Sequence, residues 1–416
     1  MSLTVILIYT LIIFSMFPYI EILPLGTDSQ PNALLMALIL FPFCCKWKMN
    51  RDLVWLFLLM TIGLLVILIS PGNFNSIRSF MNYFTLFFVA YVTFFALQRM
   101  GGIPYKLFKG IIYMWFIVGT IQLLIYPDFM SFLTPRGDSE LTMKSGRGIV
   151  CLAPEPTFYG LTCLIFGIIA YLNFRKMSDI KKIYAIIAIQ LFIYSRSSLV
   201  IFLLMATGGF YLLLVIFSKK KYLLRVLVGC MIVGMIGIGL INHYSENISS
   251  NRFGMLLLIL LENPENFLIL DASVNERFIH VFFPLYGFVE HLGLPHGYGM
   301  FPDFMERCMN AESFQHLISD YVQNREAPTR IMSGLGSLFY ELGFFGFLLI
   351  AVLVDSVIQA VDGTKQRIIL VFVLLAILLN AIPFSNPLIP FLIGNLIYLG
   401  YEKRKAESSL SYQHHR

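Results

Sequence analysis

Charged residues are few in this chain. Only 13% of its 416 residues are Asp, Glu, Lys or Arg, against roughly 25% in a soluble domain, and this shortage excludes an ordinary water-soluble fold. No basic stripe interleaved with aromatic residues occurs, so the net charge of +6 does not indicate nucleic acid as a partner. The six cysteines, Cys44, Cys45, Cys151, Cys163, Cys230 and Cys308, lack metal or disulfide spacing. Cys163 and Cys230 fall in mid-span, where a buried apolar thiol is the ordinary reading. No HxxxH or HExxH pairing exists, so no metal site is expected. No nucleotide fingerprint exists either, and no cofactor is expected. The first apolar run has neither an n-region charge nor a small-residue cleavage site, and reads as a retained span.

Apolar sequence is what the chain has in quantity, at 58%. Runs of about twenty residues recur from Leu3 to Leu399, each able to cross a bilayer core of ~30 Å. They predict an all-α polytopic membrane protein with about 12 transmembrane helices. The expected spans are Leu3–Ile20, Asn32–Cys45, Leu53–Ile69, Phe80–Leu97, Leu107–Tyr126, Val150–Leu172, Ile183–Tyr194, Leu199–Phe217, Leu223–Ile241, Leu335–Val354, Ile368–Ile382 and Leu388–Leu399. The division is 1–241 for the first nine spans, 242–333 for one large outer loop, 334–402 for the last three spans and 403–416 for a cytoplasmic tail. With the N-terminus in the cytoplasm, twenty of the thirty Lys and Arg residues fall on the cytoplasmic side and ten on the other. That is the bias that orients membrane proteins. Both termini are therefore expected in the cytoplasm, and the large helical loop outside it.

Nine of the ten outer basic residues are arginines, Lys144 being the exception. Arginine grips phosphate bidentately through its planar fork. Orientation statistics alone would also leave such a set. The link before the sixth span carries Arg136, Lys144 and Arg147, and the span opens with Pro154-Glu155-Pro156. Two prolines bracket Glu155 and hold it on an irregular turn at the membrane rim. It either pairs with an arginine to anchor the helix start or orients a reacting group. Tyr194-Ser195-Arg196-Ser197-Ser198 is a very short turn, so Arg196 reaches lipid head groups or a lipid-linked phosphate at the same depth.

The loop from Asn242 to Ser333 holds five of the seven histidines: His243, His280, His291, His296 and His316. Asn275 to Leu292 has amphipathic helical spacing, which places it on or near the membrane surface with a kink at Pro284. The glycine-rich turn Gly293 to Gly299 follows and sets His296 in a permissive backbone. His280 lies one turn after Arg277, on the same face. A second amphipathic stretch runs from Pro302 to Tyr321, and Arg325 and Arg330 close the loop. Glu341 is a second carboxylate at or inside the rim. A core or surface role satisfied by hydrogen bonds remains the alternative for each histidine.

Ser195-Arg196-Ser197, then Arg277, then Gly297-Tyr298-Gly299, then Tyr340-Glu341-Leu342-Gly343 occur in an order, and around an outer loop, that resembles the O-antigen polymerase and ligase superfamily. Glu155-Pro156-Thr157 is similar to a rim motif of the polymerases. The resemblance covers roughly 147–351. Ligases of this superfamily carry a functional histidine shortly before the following span. Here Ala327 to Ser333 has none, which favours O-antigen polymerase.

The resemblance implies a glycosyltransferase of the bacterial inner membrane, active in lipopolysaccharide biosynthesis. It would pass a growing glycan from undecaprenyl diphosphate to the next lipid-linked unit on the periplasmic face. Its implied partners are undecaprenyl-diphosphate-linked oligosaccharide, membrane lipid and a chain-length regulator protein. The expected catalytic residues are Glu155, His296 and Arg277. Arg147, Arg196, Arg330, Arg136, His280 and Glu341 are expected to bind substrate. The competing readings are an O-antigen ligase, a polysaccharide or small-molecule transporter, and a scaffold. No repeat relates the two halves, as transporters usually show.

Overall fold

The structure is a computed structural model, and it describes residues 2–22, 27–44, 49–218, 252–264, 267–380 and 382–414. The ninth expected span, Leu223–Ile241, lies outside the described residues, as do Cys45, Cys230, His243 and the first part of the outer loop. All regular structure among the described residues is helical. The helices of the first half are α1 (Leu3–Met16), α2 (Asn32–Cys44), α3 (Arg51–Val66), α4 (Phe74–Met100), α5 (Tyr105–Leu124), α6 (Ser139–Lys144), α7 (Pro156–Phe174), α8 (Ile180–Ile189) and α9 (Ser198–Ser218). Those of the second half are α10 (Arg252–Glu262), α11 (Ala272–Glu290), α12 (Phe301–Asn310), α13 (Gly334–Leu342), α14 (Phe347–Ala360), α15 (Thr364–Leu379) and α16 (Leu388–His414).

Among the described residues, six helices are long and apolar enough to cross a membrane: Arg51–Ile69, Phe74–Met100, Tyr105–Leu124, Pro156–Phe174, Ser198–Ile216 and Gly334–Ala360. The chain is thus a helical membrane protein, with fewer full-length crossings among the described residues than its apolar runs predict. The reasons are local. α1 and α2 hold 14 and 13 residues, short of the roughly 20 a crossing needs. α8 gives way to a π-helical segment, Gln190–Ser195, and α15 has 16 residues. α16 runs without a break through the charged tail expected to be separate from 403 onward.

α4 is the axial helix, packed on by α2, α3 and α16. Asn73 caps its first turn by accepting from the Ser76 amide, and Gly101 ends it in the left-handed conformation. At one end of the helices the basic residues pair across elements: Arg51 with Asp355, Lys109 with Asp179, and Arg175 and Lys403 with Asp362. At the opposite end stand Arg136 and Arg330, both paired with Asp28. The two ends therefore differ: the pairs at one include Lys109 and Lys403, and the pairs to Asp28 at the other are made by arginines alone.

The segment expected to form the outer loop has its own small core, in which Phe283, Phe301, Phe304 and Met305 are buried. α11 is continuous through Pro284. Proline cannot donate to the carbonyl of His280, and α13 packs closely there: a Cβ on Gly336 would lie 2.8 Å from that oxygen. The expected second amphipathic helix is instead α12 followed by two four-residue helices, Glu312–Gln315 and Asp320–Gln323.

One side chain pins this segment to the helical bundle. Tyr298 is fully buried, and its hydroxyl donates to the Gly63 carbonyl at 3.0 Å. Its amide donates to Ser70 Oγ, and its carbonyl accepts from Ser76 Oγ. The flanking Gly297 and Gly299 have φ of +89° and +71°, a conformation that favours glycine. The Gly-Tyr-Gly motif is thus an anchor. Tyr298→Ala should lower stability by about 3–5 kcal/mol and Tyr298→Phe by about 1 kcal/mol. The apparent melting temperature of the purified protein in detergent checks both, and an unchanged value for Tyr298→Phe would refute the hydroxyl's role.

Candidate functional site

The arginine-rich end encloses a cavity of about 800 Å³. α4 contributes a polar stripe of Asn75, Arg78, Ser79, Asn82 and Thr85, residues that recur at helical spacing and so share a face. The link before α2 contributes Asp28, and the link between α5 and α7 contributes Arg136 and Arg147. Glu155 and Thr157 come from the start of α7, and Asp271, Glu276 and Arg277 from the start of α11. Arg325 and Arg330 come from the segment before α13, and Glu341 from α13 itself. Six arginines and five carboxyl groups line the space.

Asp28 is the hub of this charge cluster. One of its oxygens pairs with Arg136, and the other accepts from Arg330 at 2.7 Å. Arg78 stands within electrostatic reach of Arg330 and Asp28. Burial works against the Asp28 carboxylate, but the hydrogen bonds and charges of Arg136 and Arg330 outweigh it and hold its pKa below the ordinary range. The charge on Asp28 therefore supports the fold above the usual carboxylate range, and that support fades as pH falls through its lowered pKa.

Arg147 is held by its backbone. Its amide donates to Thr142, the next amide but one, Ile149, donates to Tyr194, and a Cβ on Gly148 would lie 2.1 Å from the Tyr194 oxygen. Arg277 donates to Thr157 Oγ1 at 3.0 Å, which ties α11 to the start of α7. Glu155 is the N-cap residue of α7 with extended backbone, yet its side chain caps no amide. The carboxylate is half-buried and faces the cavity. Glu341 is buried and accepts from the Tyr83 hydroxyl at 2.6 Å. Tyr83 in turn packs against the ring of Tyr298, so the anchor of the outer segment touches the cavity wall through two aromatic rings.

Of the residues expected from sequence, Arg136, Arg147, Arg277, Arg330, Glu155 and Glu341 meet in this one cavity, and three do not line it. Arg196 is exposed, has φ of +42° and donates from Nε to the Ile193 carbonyl. His296 stacks on Tyr340 at 4.3 Å, and its Nε2 donates to the Gly287 carbonyl at 2.9 Å. His280 lies behind Arg277 and Arg330, buried, with Nδ1 accepting from the Met332 amide. Burial, with Arg330 nearby, lowers the His280 pKa to about 4.

Asp28 and Arg78 belong to the cavity and were not singled out from the sequence. Arg78 had a signal, since it lies just before the expected fourth span on a stripe of α4 that is polar at helical spacing. Asp28 had none, because its partners lie 108 and 302 residues away. No family model, curated protein or solved structure matches the chain.

Asp28→Asn should cost roughly 1–3 kcal/mol, less than a fully buried pair would, because Arg136 stays 64% exposed. An unchanged melting temperature in detergent at low salt would remove the hub role. His280 should titrate against the fold. Its proton affinity is higher unfolded (pKa about 6.5) than folded (pKa about 4), so stability falls as pH drops from about 6.5 towards 4. His280→Gln should flatten that part of the melting-temperature profile, and an equally steep profile would count against it.

Proposed function

We propose that the chain is a polymerase of lipid-linked polysaccharide repeat units, working at the periplasmic face of a bacterial inner membrane. The observation that carries this reading is the convergence of Arg136, Arg147, Arg277 and Arg330 with Glu155 and Glu341 around one cavity at the arginine-rich end of membrane-crossing helices. A lipid diphosphate headgroup has to be held at that depth while its tail stays in the bilayer. Guanidinium forks match its oxygens in pairs, and a partly dehydrated cavity strengthens every such contact.

The reaction joins an acceptor hydroxyl oxygen of the incoming unit to the anomeric carbon of the growing glycan. The bond from that carbon to the diphosphate oxygen breaks, and the leaving diphosphate takes the electron pair. Arg147, Arg277 and Arg330 stabilise the charge that develops on it. Glu155 takes the hydroxyl proton as general base, a role worth typically 10²–10⁴ in rate. The chain needs no nucleotide, because the energy is already held in the sugar–diphosphate bond. The absence of a histidine between Ala327 and Ser333 supports polymerase over ligase.

Arg277→Ala and Arg147→Ala should abolish long surface glycan while membrane insertion is retained. Arg277→Lys should also be poor, since an ammonium lacks the fork. Glu155→Gln should shorten the ladder by slowing each addition roughly 10²-fold or more. Arg196→Ala and His296→Gln, outside the cavity, should leave the ladder intact. Glycan ladders resolved by gel from a complemented deletion strain are the measurement. Normal ladders in both arginine variants would end this reading. Bare lipid A core in the deletion strain, instead of core with one repeat unit, would assign a ligase.

A further inference from the structure

Away from the cavity, the far end of α11 ends in a short apolar tip. Val289 is 67%, Leu292 81% and Leu294 56% exposed. Single exposed leucines on a protein surface are ordinary, but these three lie within six residues. They continue directly into Phe344, Phe345 and Phe347, which are exposed on the membrane-crossing segment Gly334–Ala360. The two parts are locked together. The Phe344 amide donates to the Gly293 carbonyl at 2.9 Å, and Phe288 and Phe344 meet edge to face at 5.3 Å.

The backbone of the tip is also held in a costly form. Leu292 adopts φ of +55° and Gly293 +78°. Glycine accepts this conformation freely, whereas leucine is strained in it. The amide of Gly293 reaches back to the Phe288 carbonyl at 2.7 Å, and that of Leu294 to the His291 carbonyl, so the turn closes α11 and points Leu292 outward. Among the described residues, nothing buries the side chain that this strain presents. The polar groups of the neighbourhood turn elsewhere: Glu290 pairs with Arg307 of α12 at 3.0 Å, and His291 Nδ1 lies 3.2 Å from the Leu294 carbonyl.

We infer that Val289, Leu292 and Leu294 insert into the acyl chains of the bilayer leaflet at the arginine-rich end, so that α11 links the cavity to the lipid. The occupant is lipid because the patch is continuous with the apolar flank of a membrane-crossing segment, and contiguous exposed apolar surface of this kind marks a membrane or protein contact. The same helix carries Glu276 and Arg277 into the cavity at its other end. Its lipid-facing tip would fix the height of those groups above the membrane. The inference stands whether or not the chain joins saccharides.

The test uses the full chain in proteoliposomes of phosphatidylethanolamine and phosphatidylglycerol. Leu292→Cys carries a nitroxide, with Val289→Cys and Leu294→Cys as independent positions and exposed Asn324→Cys as the aqueous control. The unsubstituted chain reports labelling of its own cysteines. Spin relaxation by oxygen, which concentrates in acyl chains, is compared with relaxation by a water-soluble nickel chelate. The expected result is oxygen-dominated relaxation at 289, 292 and 294 and chelate-dominated relaxation at 324. Chelate-dominated relaxation at all positions would overturn the proposal. So would a label shielded from both reagents, or dipolar coupling between labels, since either indicates protein in place of lipid.

Discussion

The mutual repulsion of guanidinium groups is the constraint around which this molecule is arranged. Two like charges 4 Å apart cost about 4 kcal/mol at an effective dielectric of 20. Six arginines can therefore share about 800 Å³ only if carboxylates are interleaved among them. Asp28 does this most directly, with one oxygen for Arg136 and the other for Arg330. Glu155 and Glu276 act on Arg136 at longer range. Each ion pair to Asp28 occupies one nitrogen of a fork that has five N–H donors. The arrangement therefore neutralises most of the charge while leaving many donors for a ligand. A cavity lined by lysines could not do both, since a point charge has no directional face to spare.

The second constraint is registration. Arg277 and Arg330 belong to the outer segment, while Arg78 and Glu341 belong to helices that cross the membrane, so the site exists only if the two parts meet in one position. Tyr298 supplies that position. It enters the bundle as far as Gly63, and a Cβ on Gly63 would stand 2.8 Å from its hydroxyl oxygen. Its ring touches Tyr83, which donates to Glu341. Cavity floor and loop anchor thus share one buried aromatic contact, and a shift of the loop would disturb the floor.

This explains what the sequence could and could not reveal. Arginines on one side of the spans were legible because charge is rare in an apolar chain and its placement is constrained by orientation. Glu155 was legible because its two prolines leave few backbone options. The helical, membrane-crossing character followed from run length, but crossing number did not, since length alone cannot separate a 14-residue helix such as α1 from a full span with extended flanks. Asp28 stayed hidden because ion pairs at sequence separations above one hundred leave no local pattern. The glycines around Tyr298 were visible but ambiguous. Positive φ serves a ligand-binding turn and an anchoring turn equally well, and only the burial of Tyr298 separates the two.

The same geometry narrows the choice of base in the proposed reaction. A base needs a free lone pair facing the acceptor. His296 does not line the cavity: its Nε2 proton goes to the Gly287 carbonyl, and its ring lies flat against Tyr340. His280 has its Nδ1 lone pair taken by the Met332 amide, and Arg330 nearby disfavours the cation it would become. Glu341 is buried in the wall and engaged by Tyr83. Glu155 differs from all three. Its side chain caps no amide of α7 although its backbone is extended at the helix start, and its carboxylate borders the cavity two residues from the threonine that holds Arg277. A proton taken there neutralises a carboxylate and adds to the positive field of the arginines just as diphosphate departs. Proton transfer and leaving-group stabilisation would then reinforce each other.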